Sequence, residues 1–224
     1  MKSCYLLRIV ILLFFGLLSS INFAQQILEL DKRVLIKTSP MALLEPETII
    51  IQGGIEYFLS PKFSIQTELG VNAGLFGIPS GRGKNEQFSM WRTKNELKFY
   101  SKKNYWGVEL FFVSKDFIRT DDYYVTNSNK IWYDRAHIDF QIFGTGLKFG
   151  RQEFVSENIS LDSYLGIGIR SRYRLVNALD ISPNQVRDEL NENFLTADRY
   201  RFNRWDNIPH LTLGIKVGIL PQKR

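Results

Sequence analysis

The chain has 224 residues, a formal net charge of +6 at pH 7, 44% hydrophobic residues and one cysteine, Cys4. A chain of this length is expected to form a single domain, and its charge excess is too small to indicate a nucleic-acid partner. One cysteine excludes an intrachain disulfide, and the lack of a second long apolar run beyond the N-terminus excludes membrane-spanning helices.

The first 24 residues have the three parts of a secretory signal peptide. Lys2 and Arg8 come first, an apolar run follows, and small and polar residues lead to Ala24. We expect cleavage after Ala24, which removes Cys4 and leaves residues 25–32 as a short periplasmic segment. The alternative, a single membrane anchor, is disfavoured because the apolar run is short.

From residue 33 to residue 220, apolar and polar residues alternate in eight segments. Alternation with a period of two predicts β-strands with two chemically different faces. In an exported protein it favours an all-β fold, namely an eight-stranded antiparallel up-and-down transmembrane β-barrel with a polar, side-chain-filled lumen. The predicted strands are 33–43, 47–59, 62–73, 90–101, 104–115, 135–149, 158–173 and 207–220.

The connections between the segments differ in length. Three are short: 60–61, 102–103 and 151–158. Three are long: 74–89, 116–134 and 174–206. The two kinds alternate, apart from a short link at 45–47. Outer-membrane barrels have short periplasmic turns and longer extracellular loops, so we expect the long loops to lie outside the cell.

One parity of the strands collects charges of both signs together with glycines such as Gly107 and Gly166. The lumen of an eight-stranded barrel is just wide enough for side chains to fill it, and a glycine beside a long charged side chain relieves crowding. We predict a structural charge network in the lumen, formed by Lys37, Glu56, Glu68, Glu96, Lys98, Glu109, Lys148, Arg170 and Lys216. The same parity includes Arg92, Lys94, Asp139, Asp162 and Arg172. Mixed charge favours a closed plug of ion pairs over the alternative, a conducting path.

The opposite parity is apolar and almost free of charge, as expected of a surface that faces lipid. It includes Ile65, Leu97, Val108, Leu110, Ile138, Phe140, Leu165, Ile167, Leu211 and Leu213. In segment 135–149 the apolar residues change parity near Phe143 and Gly144, which predicts a β-bulge there.

Aromatic residues gather toward the ends of the segments, where the interfacial girdles of a membrane barrel lie. They include Tyr57, Phe58, Phe63, Trp91, Phe99, Tyr100, Tyr105, Trp106, Trp132, Tyr133, Phe149 and Phe154. The alternative is the aromatic core of a soluble β-protein.

Three segments, 36–40, 54–66 and 144–152, resemble parts of uncharacterised outer-membrane β-barrel families, which are catalogued as domains of unknown function. The resemblance covers most of the chain after the signal peptide. It implies the barrel and the outer membrane, and it implies no activity. The last segment, 212–219, also resembles the signal that the barrel-assembly machinery reads, although it lacks a terminal aromatic residue and is followed by the tail 221–224.

Candidates for catalysis are few. His137 and His210 are the only histidines, and no ordered motif joins either of them to a serine and a carboxylate. Two histidines with scattered carboxylates are weak evidence for a metal site, and the Gly-Arg-Gly-Lys segment 81–84 lacks the helix that a phosphate-binding loop needs. We therefore expect no catalytic residue, no metal site and no cofactor.

The long loops are the candidates for binding. Ser182 and Pro183 suit a helix start, and apolar residues recur every four positions over 182–195, which predicts a short helix that caps the barrel or binds a partner. Loop 116–134 is rich in tyrosine, tryptophan and aspartate, which suit the binding of sugars or proteins as well as simple packing.

The expected function is a structural or binding role for a monomeric outer-membrane barrel, exercised through its extracellular loops. The expected partners are outer-membrane lipid, the barrel-assembly machinery during biogenesis, and an extracellular ligand of loops 74–89, 116–134 and 174–206. Three alternatives stay open: a lipid-modifying enzyme in the same barrel, a small channel, and a soluble exported lipocalin-like carrier.

Overall fold

The computed structural model describes residues 34–44, 50–73, 85–126, 129–181 and 205–221. Its strands are β1 (Val34–Thr38), β2 (Ile50–Ser60), β3 (Phe63–Asn72), β4 (Asn85–Ser101), β5 (Asn104–Thr126), β6 (Asn129–Phe154), β7 (Ile159–Ile181) and β8 (Trp205–Ile219). A 3₁₀ helix, Pro40–Leu44, follows β1. Within these ranges, no helix is both long and apolar enough to cross a membrane.

The eight strands form one closed antiparallel ring. Each strand pairs with the next one along the chain, and β8 pairs with β1, so that the sheet has no edge strand. The predicted all-β, up-and-down arrangement of eight strands is therefore confirmed. The closing pair is short, since β1 and β8 are in register only from Ile36 with Ile219 to Thr38 with Val217.

The three connections predicted to be short lie at the same end of the ring, where the strands are separated by 61–62, 102–103 and 155–158. In the first of them, the Ser60 hydroxyl accepts hydrogen bonds from the backbone N–H groups of Lys62 and Phe63. In the second, Lys102 has a φ of 59°, in the left-handed region. We call this end of the ring the turn end.

The first strand is shorter than predicted. It ends at Thr38 rather than at residue 43, because Pro40 has no N–H to donate to the ladder and instead begins the 3₁₀ helix. The predicted signal peptide (1–24), the segment 25–32 and the candidate helix at 182–195 lie outside the described residues.

The predicted long loop at 116–134 is wrong. The β5–β6 ladder continues from Asp116 with Asp139 up to Thr126 with Asn129, so that only residues 127 and 128 separate the two strands. This stretch is rich in aromatic and β-branched residues, which favour strands. Strands also take up 85–89, 174–181 and 205–206, so the other two long connections are shorter than predicted.

The interior is built in layers, taken in order from the turn end. An aromatic layer contains Leu35, Phe58, Tyr100, Tyr105 and Leu220. Buried charged residues come next. An apolar layer above them contains Ile50, Met90, Phe111, Val113, Phe140 and Ile142. A second apolar layer contains Phe117, Tyr133, Ala136, Ile138 and Val176.

The predicted bulge near Phe143 and Gly144 is absent, and two residues assigned to the outer face are inside. Phe143 and Gly144 pair in regular register with β7, and the irregularity of β6 lies instead between Tyr133 and Ala136. Ile138 and Phe140 are buried, at 0% and 2% exposed. Asp139 lies on the opposite face of β6, outside the charged interior. The interior changes from charged to apolar along β6, so the chemistry of the inward residues changes while their parity does not.

The predicted aromatic girdles contain only part of the residues assigned to them. Tyr57, Phe63, Trp91, Phe99, Trp106 and Phe149 are exposed on the outer face. Phe58, Tyr100, Tyr105 and Tyr133 are buried and belong to the interior layers instead. Aromatic residues near strand ends occur on both faces here, because the ring is closed near the turn end by aromatic side chains.

Candidate functional site

Inside the ring lies a group of nine buried charges, made of two neighbouring sets of ion pairs, to which every strand contributes. We call it the charge layer; it consists of Lys37 (β1), Glu56 (β2), Glu68 (β3), Glu96 and Lys98 (β4), Glu109 (β5), Lys148 (β6), Asp162 (β7) and Lys216 (β8). Since side chains alternate along a strand and all these residues share the inward parity, closing the ring brings them to the same level.

Asp162 holds one half of the charge layer together. Its carboxylate lies 2.7 Å from the ammonium groups of both Lys37 and Lys98. The Tyr105 hydroxyl donates to the same carboxylate at 2.8 Å. Glu56 shares both lysines, at 2.5 Å from Lys37 and 3.5 Å from Lys98. Two carboxylates and two ammonium groups thus form a closed square.

Glu96 links the other half. Its carboxylate lies 3.1 Å from the ammonium group of Lys148 and 3.2 Å from that of Lys216. Lys148 also pairs with Glu109, and Lys216 lies 2.5 Å from Glu68. This half is therefore a chain of three carboxylates bridged by two lysines, and it spans β3 to β6 and β8.

Neutral donors and acceptors also contact the charge layer. The Tyr100 hydroxyl donates to Glu56 at 2.6 Å, and the Ser64 hydroxyl donates to the same oxygen at 2.5 Å. Gln152 accepts from Lys37 at 2.8 Å. These partners matter because a buried ion pair repays its desolvation only when the remaining polar atoms are also satisfied.

Glycines make room for the long charged side chains, as the sequence predicts. A Cβ added at Gly107 would lie 2.6 Å from a carboxylate oxygen of Glu96. One added at Gly166 would lie 2.8 Å from the Cγ of Lys148 and 2.7 Å from the carbonyl oxygen of Leu147. Gly166 therefore requires glycine, because a backbone carbonyl occupies the space of a side chain, whereas a side chain at Gly107 would displace the carboxylate of Glu96.

The structure brings together eight of the nine residues of the predicted network. Arg170 does not join them: it lies eight residues further along β7 than Asp162, opposite Gly144 and Ile208. Asp162 has the inward parity but was not placed in the network from the sequence. Tyr100 and Gln152 also have the inward parity. They are far in sequence from Glu56 and Lys37, so the sequence alone does not show that they contact these residues.

The two histidines lie on opposite faces of the strands. His137 is on the outer side of β6, where its ring nitrogen lies 3.0 Å from the carboxylate of Asp116. His210 is on the inner side of β8, where its ring packs against Phe111 at a centroid distance of 4.9 Å. In the part of the chain that the structure describes, no group of three or more His, Cys, Asp or Glu residues could hold a metal ion.

A second charged group lies toward the end opposite the turn end. Arg172 and Arg174 of β7 both approach the carboxylate of Asp206 on β8, at 2.6 Å and 2.7 Å. The Arg174 guanidinium also lies over the ring of Phe140, 5.7 Å from its centroid. This group links β7 to β8 at the level of the first apolar layer, because Arg172 and Arg174 are in register with Ile142 and Phe140.

The chain matches, over residues 9–195, the model of a family described as "Protein of unknown function (DUF3575)". A comparison with curated proteins and a comparison with solved structures found no significant match.

Proposed function

Since the chain belongs to the DUF3575 family, whose description names no activity, we propose a function from the structure: an outer-membrane β-barrel, closed inside by side chains, with a structural or binding role at its extracellular end. On this proposal the turn end faces the periplasm. The connections 74–84, 127–128 and 182–204 then lie on the extracellular side.

The observation that carries the proposal is the reversed distribution of polarity between the two faces of the strands. The interior holds nine paired charges, while the outer face exposes large apolar side chains, among them Leu211 at 77%, Ile167 at 63% and Leu165 at 61%. Exposing apolar surface to water costs about 25 cal/mol per Å², so a belt of such residues disfavours an aqueous location. Lipid is the surrounding in which this belt is stable.

Aromatic pairs border the apolar belt on both sides, as the girdles of a membrane barrel do. Near the turn end, Phe63 packs against Phe99 and Trp106 packs against Phe149, with centroid distances of 5.1 Å in both pairs. On the other side, Trp91 packs against Phe112 at 5.2 Å, and Tyr173 packs against Trp205 at 5.1 Å.

The filled interior weighs against two of the alternatives. A lipocalin-like carrier needs an apolar cavity inside and a polar surface outside, which is the reverse of the distribution here. A channel needs a continuous water path, whereas the charge layer and the apolar layers occupy the inside of the ring. For a lipid-modifying enzyme, His137 and Asp116 form a histidine–carboxylate pair on the outer face, but no serine hydroxyl bonds to His137 among the described residues.

Cell fractionation tests the proposed location. We expect the protein in the outer-membrane fraction, extracted only by detergent, and migrating faster on a denaturing gel before heating than after it. Recovery in the soluble periplasmic fraction would overturn the proposal.

Cysteine labelling in the same cells tests the orientation. With Cys4 replaced by serine, Asn177→Cys should react with a membrane-impermeant maleimide in intact cells, because Asn177 is exposed near the proposed extracellular end. Lys102→Cys, exposed in a short turn, is the matched control and should react only after the outer membrane is permeabilised. The opposite result would reverse the topology.

A further inference from the structure

An asparagine faces outward in the middle of the apolar belt. Asn95 is exposed on the outer face of β4, four residues from Trp91 and four from Phe99. Both of these residues belong to the aromatic pairs that border the belt. The separation is about 13 Å of strand in each direction, so Asn95 is the outward residue of β4 that lies farthest from both borders. Hydrocarbon, which surrounds the middle of such a belt, offers no hydrogen-bond partner.

Within the chain, the side-chain amide of Asn95 is only partly satisfied. Its oxygen accepts a hydrogen bond from the Thr67 hydroxyl at 3.0 Å, across the β3–β4 pair. An asparagine amide has two donors and an oxygen with two lone pairs. In the part of the chain that the structure describes, the amide nitrogen of Asn95 donates to no other group. An amide that enters hydrocarbon without a partner costs free energy, so the two donors of Asn95 are left uncompensated by the chain itself.

A second outward pair of the same kind shows the difference that position makes. The Ser171 hydroxyl donates to the side-chain oxygen of Asn207 at 2.5 Å, also on the outer face. This pair lies directly beside Tyr173 and Trp205, the aromatic pair at the border of the belt. Water and lipid head groups supply hydrogen-bond partners at such a border. Asn207 is therefore satisfied without a protein partner, and Asn95 is not.

The surface around Asn95 suits close contact with another apolar surface. Its outward neighbours include Thr67 and Thr93, which are short, and Leu69 and Leu97, which are 63% and 48% exposed. Short side chains let two spanning segments approach each other in a membrane, and asparagine and threonine form hydrogen bonds between such segments. The outward positions of β3 and β4 between the aromatic borders carry no charge that would oppose this contact.

We propose that the partner is a second copy of the chain, and that two barrels form a dimer through the outer faces of β3 and β4. The amide is complementary to itself because it carries donors and an acceptor, so a two-fold axis satisfies both copies at once. The axis runs along the membrane normal beside Asn95, and each Asn95 donates to the oxygen of the other while it keeps its bond from Thr67. The inference rests on the proposed membrane location, since water would satisfy the amide of a soluble protein. It departs from the monomer expected from the sequence, because alternation shows on which face a residue lies and not what covers that face.

Energy transfer between dye-labelled copies in lipid vesicles tests the proposal. With Cys4 replaced by serine, Lys102→Cys carries the donor dye in one population and the acceptor dye in the other. We expect energy transfer that falls as unlabelled protein is added. Asn95→Leu should weaken the dimer by about tenfold, whereas Asn95→Gln, which keeps the amide, should retain most of the transfer. Thr145→Leu, which also replaces an exposed polar residue on the outer face but lies on β6, is the matched control and should leave the transfer unchanged.

Crosslinking in membranes gives a second test that leaves Asn95 in place. A short bis-maleimide should link two copies of Thr93→Cys, two residues from Asn95 on the same face, and should not link two copies of Thr145→Cys. Absence of energy transfer, equal effects of Asn95→Leu and Thr145→Leu, or equal crosslinking at the two cysteines would overturn the proposal. If Asn95 faces lipid alone, Asn95→Leu should instead give a monomer that resists urea better than the unmodified protein. A protein that is found in the membrane and stays monomeric refutes the dimer alone, whereas recovery in the soluble fraction refutes the proposed location.

Discussion

Asp162 is the residue on which one half of the charge layer depends. It accepts from two ammonium groups and one tyrosine hydroxyl, and it is fully buried. A buried charge that loses its partner keeps its desolvation cost and loses its compensation. Removing this carboxylate therefore leaves Lys37 and Lys98 facing each other with Glu56 as their remaining partner.

We predict that Asp162→Asn lowers the free energy of unfolding by about 3–5 kcal/mol. Urea titration in lipid vesicles, followed by tryptophan fluorescence, measures the change. Glu153→Gln is the control, because Glu153 pairs with Arg151 and Lys103 at the turn end, where both cations are partly exposed. Such a pair contributes about 0–1 kcal/mol. Equal effects of the two substitutions would show that water reaches the charge layer.

Lys102 offers a gain in stability rather than a loss. Its φ of 59° is a conformation that costs a residue with a Cβ about 1–2 kcal/mol and costs glycine little. We predict that Lys102→Gly raises the free energy of unfolding by about 1 kcal/mol in the same titration. Lys62→Gly, in the turn between β2 and β3, should lower it instead, because glycine there only adds freedom to the unfolded chain. A loss of stability in Lys102→Gly would contradict this account of the turn.

At the scale of residues, parity predicted most of the charge layer, because the inward residues of a narrow ring must meet. It did not predict which inward charges lie at the same level, so Asp162 was left out of the network and Arg170 was included. Tyr100 and Tyr105 were assigned to the girdles, although each has the inward parity of its strand. A tyrosine suits an interface and a buried hydrogen bond equally well, so its residue type could not decide between them.

The outward residues of β7 show how the apolar belt ends along a single strand. Leu165, Ile167 and Ile169 are exposed and apolar, and they lie opposite the apolar residues of β8. Further along the same face, Ser171 and Asn177 are polar. Leu179 is again exposed, but it lies fourteen residues beyond Leu165, about 46 Å of strand.

We predict that Leu165→Arg lowers the free energy of unfolding in vesicles by roughly 2–4 kcal/mol, because it puts a charge into the proposed lipid belt. Leu179→Arg, on the same face of the same strand, should cost about 0–1 kcal/mol, since it lies beyond the belt. A folded, inserted protein that tolerates both substitutions equally would show that the outer face of β7 does not meet lipid.

At the scale of elements, alternation located all eight strands, and it failed where the surroundings of a face change. In β6 the inward residues pass from Lys148 to Phe140 and Ile138, and a change of chemistry resembles a change of face in the sequence. In 116–134 the strands continue with mixed polar and aromatic residues, because there the hairpin pairs mainly with itself. Apolar and polar residues alternate strictly only where each face of the strand keeps the same surroundings along its whole length.

For the whole molecule, the stacked layers predict a barrel that does not conduct ions. The aromatic layer, the charge layer and two apolar layers succeed one another inside the ring, and each is made of buried side chains. An eight-stranded ring leaves little space beyond that which its side chains fill.

We predict no steady single-channel current from the protein in planar bilayers, and none from Glu109→Gln, which removes one charge of the network without shortening the side chain. Co-flotation with vesicles confirms that both proteins insert. A pore-forming barrel added to the same bilayer shows that currents are detectable. Steady currents from the unmodified protein would favour the channel over the plug.

The shortness of the β1–β8 pairing also has a consequence for how the ring forms. Every other pair joins strands that follow one another along the chain, whereas Ile36 and Ile219 join the first strand to the last. Contacts between distant residues form late because the chain must first be ordered between them. Seven hairpin pairings can therefore grow one after another into an open sheet, and the last step joins its two outer strands through three residue pairs. The rate of assembly should thus depend on this final closure, and substitutions in β1 should slow folding more than equally destabilising ones in β5 or β6.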